Sequence, residues 1–284
     1  MLGITSRVLS TGTDVLTTDN LLADAVCLWS FDDVNDIKNL QGEEWAEVNG
    51  SVQATAGVRG QAVSAHGDAG TILLSQDPHK CLTDPEANEG VSLSLWLLYE
   101  SKDVKQTFLA AGEKDSFDWG MHLYQEGNNG NQERLILMIR RGKEFCSLKF
   151  DVPQKVWTQL LFTWTNQIST TVKVYRNGNV ISNVIKNCPS GSFSDDLNRE
   201  LKIGWNHLPS ASFDDIIVWK KALTEVEAER LFRFYKGMLY FVSSLISILM
   251  SSVDQTALVF EISANHTRLT RMFQVAFDVR LNPV

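Results

Sequence analysis

The chain lacks the spacings that mark several chemistries. Its four cysteines, Cys27, Cys81, Cys146 and Cys188, are scattered and never form C-x-x-C, which argues against a structural zinc site. No G-x-S-x-G elbow and no H-E-x-x-H helix occurs, and the five histidines (His66, His79, His122, His207, His266) fall in unrelated contexts. Basic clusters are scarce. Arg140-Arg141 and Lys220-Lys221 are short, and the net charge is −8 with a pI near 5.2, so no nucleic-acid partner is expected. The start, MLGITSRVLSTGTDVLTTDN, has no signal-peptide apolar core. A secreted protein with this sequence is therefore expected to be part of a longer one. The uncharged window between Lys236 and Asp254 holds 17 residues, five of them serine. A membrane span needs about 17–25, so a buried or partner-facing helix is expected there.

What is present is ample apolar and aromatic content, 44% and 10%. That suffices for one sizeable sandwich with an appendage. From Ala25 to Trp219 the pattern is β. Val91, Leu93, Leu95 and Leu97 alternate onto one face, and 134–140, 144–150, 157–164 and 171–176 are further strand-like runs. Asn177-Gly178 reads as a hairpin turn, because a type I′ turn needs two residues at positive φ. Roughly a dozen short strands predict an all-β, antiparallel two-sheet sandwich. The period then changes. Thr224 to Glu227 is a capping box, and Ala228, Leu231, Phe232 and Tyr235 form one helical stripe ending at Gly237.

Six segments in order resemble the LamG-like jelly-roll domain of the concanavalin A-like lectin/glucanase superfamily. They are Val26 to Asp32, Gly57 to Val63, Ser92 to Trp96, Val156 to Trp164, Val174 to Gly178, and Asp214 to Thr224. The resemblance covers about 25–236, with 1–24 expected as a flexible leading segment. It implies a jelly-roll fold and a non-catalytic extracellular recognition module for glycan or protein ligands, within an adhesion or receptor-like surface protein. Two alternatives stand beside it: a diverged glycosidase-like hydrolase, and a structural spacer. Residues 237–284 read as helix–strand–strand, either the start of a further domain or elements packed on the sandwich.

The superfamily's glycosidases carry E-x-D-x-x-E on one strand. The nearest match is Glu113-Lys-Asp115-Ser-Phe-Asp118, whose last acid is Asp and whose polar insertions suggest a loop, so no enzyme is expected. Asp32, Asp214 and Asp215 are candidate ligands of a structural Ca2+, because buried carboxylates without a cation repel and must take up protons. The bland reading is that Asp214 accepts hydrogen bonds from loop backbone. Trp45, Trp119, Trp205 and His207 lie in or beside loop-like stretches and are candidate ligand contacts. Trp29, Trp96, Trp157, Trp164 and Trp219 read as core. The four cysteines allow three disulfide connectivities. Asn49-Gly50-Ser51 and Asn265-His266-Thr267 are glycosylation sequons, a pattern that also arises by chance.

Overall fold

The computed structural model describes residues 21–42, 45–66, 70–75, 81, 90–100, 105–113, 119–126, 134–141, 143–165, 170–181, 185–188, 199–205 and 208–237. The strands are β1 (Cys27–Trp29), β2 (Glu47–Asn49), β3 (Val52–Ala56), β4 (Gln61–Ala65), β5 (Thr71–Ser75), β6 (Val91–Tyr99), β7 (Gln106–Glu113) and β8 (Trp119–Gln125). They continue with β9 (Arg134–Arg141), β10 (Glu144–Asp151), β11 (Thr158–Thr165), β12 (Thr170–Arg176), β13 (Asn179–Val180), β14 (Ile185–Cys188), β15 (Arg199–Ile203) and β16 (Ala211–Trp219). One sheet runs β13-β12-β11-β6-β16-β4-β3, with β1 also on β16 and β14 also on β12. The other runs β10-β9-β8-β7-β15-β5-β2.

The two sheets enclose the main core. Val91, Leu93, Leu95 and Leu97 of β6 all point into it, as their alternation predicts, against Leu109, Met121, Leu123 and Leu137 of the seven-stranded sheet. Asn177 and Gly178 carry φ of 52° and 75° at the β12–β13 turn, the positive pair that the Asn-Gly dipeptide predicts.

A second core lies on the outer face of the nine-stranded sheet. Helix α1, residues 225–237, lays Ala228, Leu231 and Tyr235 over Trp96, Leu161, Ile217 and Trp219. The helix starts as its sequence predicts. Thr224 N–H donates to Glu227 Oε2 at 2.8 Å, and Glu227 N–H donates to Thr224 Oγ1 at 3.2 Å. Ser92 Oγ fixes the approach to α1, donating to Lys221 O at 2.7 Å and accepting from Leu223 N–H at 2.8 Å.

Leu21 and Leu22 are buried in the second core, and Trp219 Nε1 donates to Leu21 O at 2.8 Å, the acceptor that a buried indole N–H requires. Contacts of the second core thus reach four residues ahead of Ala25. Residues 1–20 lie outside the described ones. Of the tryptophans expected in the core, Trp29, Trp96, Trp164 and Trp219 are buried. Trp157 only packs, half-buried, on the rim of the second core.

Two disulfides close the fold, Cys27–Cys81 and Cys146–Cys188. The second joins β10, the edge of one sheet, to β14 on the other. No described helix is long and apolar enough to cross a membrane. The window 238–253 and the rest of the tail lie outside the described residues.

Candidate functional site

Asp214 and Asp215 read in the sequence as the opening of the last strand. In the structure β16 starts earlier, at Ala211, so both acids sit in mid-strand. The reason is a β-bulge. Asp214 pairs with Trp96 and Ile217 with Ser94, so both Asp215 and Ile216 face Leu95. Asp215 is the extra residue, at φ 41°, a conformation that Asp tolerates better than most side chains. The bulge has a consequence for the faces. Phe213, Ile216 and Val218 still point into the main core, and Ile217 and Trp219 still point toward α1. Without the extra residue, one acid would have to replace a core side chain.

The bulge also marks a gap along one edge of β16. β4 pairs with Ala211 to Phe213, and β1 pairs with Ile216 to Val218. Between them, opposite the two acids, the loop Gly57–Gly60 enters β4 and the chain leaves β1 through Phe31 and Asp32. Asp214 Oδ2 accepts Val58 N–H at 2.8 Å and Arg59 N–H at 3.2 Å. Asp32 Oδ1 accepts Gln61 N–H at 3.1 Å. Gly57 fits because a Cβ there would stand 2.5 Å from Asp214 Oδ2, and Gly60, at φ +65°, because one would stand 2.1 Å from Asp32 Oδ1. The backbone-accepting role expected for Asp214 is therefore present.

The charge is only partly balanced. Burial, then the neighbouring Asp215, pushes the Asp214 carboxyl up to about 9, against the two backbone N–H bonds. Burial pushes Asp215 up to about 7, opposed by the Arg59 guanidinium and by the Tyr235 hydroxyl of α1, which hydrogen-bonds to it. Asp32 adds a further like charge to both acids. Burial and the Asp215 charge hold Tyr235 in its phenol form, well above the usual tyrosine range. Asp214 Oδ1 and Asp215 Oδ2 are buried with no hydrogen-bond partner. Such carboxylate oxygens take a proton or a hard cation. Among the described residues no three His, Cys, Asp or Glu side chains converge to hold a metal ion, so a cation here would also need backbone carbonyls.

The outer face of the seven-stranded sheet carries a different constellation. Cross-strand register sets Met138, His122, Ala110, Lys202 and Leu73 in one row. The next outward row is Phe145, Arg140, Gly120, Gly112 and Glu200. The row between them, Ile139, Met121, Ala111 and Leu201, faces the core. Lys202 is buried and paired to Glu200 at 2.9 Å, with side chains 7% and 13% exposed. Its ammonium lies 4.2 Å from the centre of the half-exposed Trp205 ring, and the buried His122 ring meets Trp205 edge-on at 5.6 Å. The indole is thus held in place by a cation that is itself held. Beside it, Gly112 and Gly120, both buried, sit between Arg140 and Glu200 in the cross-strand row. Gly120, at φ +111°, cannot be replaced, since a Cβ would meet Ala111 O at 1.9 Å. Sequence reading found Trp205 but missed His122, Glu200 and Lys202. Outward parity on strands that read as apolar was the only available signal.

The other candidates are dispersed. Trp45 is 60% exposed with Lys38 Nζ 5.2 Å from its ring centre, on the approach to β2. Trp119 starts β8 and Glu113 ends β7. His207, Asp115 and Asp118 lie outside the described residues.

A sandwich of two antiparallel sheets with a helix on one outer face and a polar, aromatic opposite face is a lectin-type jelly roll. The chain belongs to the concanavalin A-like lectin/glucanases superfamily, through a laminin G family profile that matches residues 74–228, more than half of it. Adhesion G-protein coupled receptor D1 of Homo sapiens is 27% identical over 245 residues, 82% of this chain. The chain spans about a quarter, 26%, of that receptor's length. Domain 4 of AbnA, an extracellular GH43 arabinanase from Geobacillus stearothermophilus solved with arabinotriose, is similar at TM-score 0.55 and 21% identity, covering 73% of this chain and 98% of that one. A botulinum neurotoxin type C structure, described as depending on two ganglioside molecules for cell entry, is similar at TM-score 0.55 and 15% identity, covering 76% and 52%. These structural likenesses speak to the fold.

The acid cluster gives a pH dependence of definite sign. Asp214 and Asp215 keep protons in the folded state that the unfolded chain releases near pH 4, so their contribution is full below that pH and is lost as pH rises toward about 7 and about 9. In chelator, the melting temperature is expected to fall from pH 5 to pH 9, and Asp214→Asn to flatten the fall. A wild-type profile that is level or rising, or a variant with the same slope, contradicts this.

Proposed function

We propose that this chain is a non-catalytic extracellular recognition module that binds a glycan on the outer face of its seven-stranded sheet. One observation carries the choice of face. Helix α1 covers the outer face of the other sheet, while on this one Trp205 and Arg140 are half-exposed and Phe145 is exposed, around a buried centre of Ala110, His122 and Lys202. On it the buttressed, half-exposed Trp205 offers an apolar ring to a sugar, and the half-exposed Arg140 offers a hydrogen-bond donor in the row that runs from Glu200. The exposed Phe145 ends the same row. From β10 to β15 are four strand spacings, about 19 Å, which suits an oligosaccharide better than a single sugar. Four cysteines joined in two disulfides support an oxidising compartment. The laminin G profile and the adhesion receptor relative support binding, while the arabinotriose-bound neighbour is a domain of an arabinanase and does not separate binding from hydrolysis.

The binding test is a glycan array with the folded chain, followed by titration of its best hit. Trp205→Ala is expected to weaken that hit about tenfold or more, roughly 1.4 kcal/mol, with melting temperature and far-UV spectrum unchanged. Hits that survive this substitution at full affinity place the ligand elsewhere. Release of reducing sugar from the hit restores the hydrolase alternative.

Calcium belongs to the same reading as a structural ion. Asp214 and Asp32, with loop carbonyls, would hold it, while Asp215 stays with Tyr235 and Arg59. The unpartnered Asp214 Oδ1 supports this, and the ion would supply the positive charge that otherwise has to be a proton. Adding calcium to chelated protein at pH 8 is expected to raise the melting temperature, and Asp214→Asn to abolish the rise. No rise in the wild type means that Asp214 and Asp215 are balanced by protons and Arg59 alone.

A further inference from the structure

The two open edges of the sandwich on the side opposite the Cys146–Cys188 disulfide are β2 and β3, the last strands of their respective sheets. Edge strands display unpaired backbone N–H and C=O groups, and proteins normally cover or charge them against pairing with other chains. β2 is exposed along its length, and β3 is exposed or half-exposed. Neither carries a lysine, arginine or proline, and β2 has a single charge, Glu47. The chain passes from one edge to the other through Asn49, Gly50 and Ser51, all three exposed. Gly50 takes φ 117°, which turns the chain between the two strands. Asn49 is the last residue of β2, and register with Thr71 sets it in a row of the sheet. Asn-Gly-Ser is the acceptor sequence for an N-linked glycan, with a hydroxyl two residues after the amide and no proline between.

We infer that Asn49 is an N-glycosylation site and that its glycan shields the paired edges β2 and β3. This rests on the extracellular reading above. In the reaction, Nδ2 of Asn49 attacks the anomeric carbon of an oligosaccharide carried on a lipid diphosphate. One C–N bond forms, the C–O bond to the diphosphate breaks, and the amide proton leaves with the diphosphate. No oxidation is involved. The position fits such a donor because all three residues are exposed. A bulky hydrophilic group at this corner sterically blocks a second copy from extending either sheet. It also leaves the row from Phe145 to Glu200 clear, whose nearest member, Glu200 on β15, is two strands away from β2.

The test expresses the full chain behind a supplied secretory leader in animal cells, with Asn49→Gln and Ser51→Ala in parallel. Peptide mapping after enzymatic glycan release in heavy-oxygen water is expected to place the label at position 49, and a parallel digest without the enzyme to leave it unlabelled, which separates release from spontaneous deamidation of an Asn-Gly pair. Both variants are expected to lose that label and, by light scattering, to self-associate more than the wild type. Two substitutions that remove the site by different atoms guard against one of them failing to fold. A secreted chain with both disulfides formed and position 49 unlabelled overturns this inference and leaves the extracellular reading standing. A chain retained with its cysteines reduced overturns both. Glycosylated protein whose variants remain monomeric overturns the shielding role.

Discussion

The arrangement depends on one extra residue in one strand. β16 is buried along its whole length and is the central ribbon of its sheet, bonded to β6 on one edge and to β4 and β1 on the other. A polar pair has no place in such a strand unless the strand is interrupted. The bulge at Asp215 interrupts it without disturbing the alternation on either side, so Phe213 and Ile216 both still fill the main core. It turns both carboxylates away from that core, toward the loop Gly57–Gly60 and toward Tyr235. The loop, the exit of the first strand and the closing helix thereby meet at two adjacent side chains.

That junction closes one outer face of the sandwich. Tyr235 and the apolar stripe of α1 bind the helix to the nine-stranded sheet, burying Trp96, Ile217 and Trp219. Burial of these large aromatic and aliphatic side chains is worth about 1.5–3 kcal/mol each, so the helix is not a loose cover. The seven-stranded sheet keeps an outer face where charge, imidazole and indole sit in register. Lys202 and Glu200 are more buried than surface ion pairs usually are, and such a pair is conserved energy only when its geometry is good. At 2.9 Å and under the Trp205 ring, it fixes the position of an aromatic platform.

Much of the fold was legible because the responsible signals are local. The alternation of Val91 to Leu97, the Asn177-Gly178 turn and the Thr224–Glu227 cap each state a backbone conformation within a few residues. The bulge was not legible. In FDDIIVW the acids look like the opening of a strand, since only pairing with Trp96 and Ser94 reveals that the ladder already runs through them. Disulfide pairing was equally hidden, because Cys146 and Cys188 meet only when the two sheet edges do. Of the site, Trp205 and the three aspartates were found from residue type and context. His122 and Lys202 were missed because they lie on strands whose neighbours are apolar, where the expected environment of an outward residue is water rather than another side chain. Trp119, His207 and the acids after Glu113 were nominated from sequence, and their side chains lie outside what is described.

Asp215 clamps α1 through Tyr235, and the sheet itself does not need it. Deleting Asp215 removes the extra residue and leaves Asp214 outward and Ile216 inward, the ordinary alternation. Hydrogen exchange of the deletion variant, read by peptide mass, is the direct test. The sandwich strands β6, β11 and β16 are predicted to keep their protection while the amides of 225–237 exchange much faster. If the helix stays as protected as in the wild type, the clamp is not what holds it, and if β16 itself opens, the bulge serves the sheet instead.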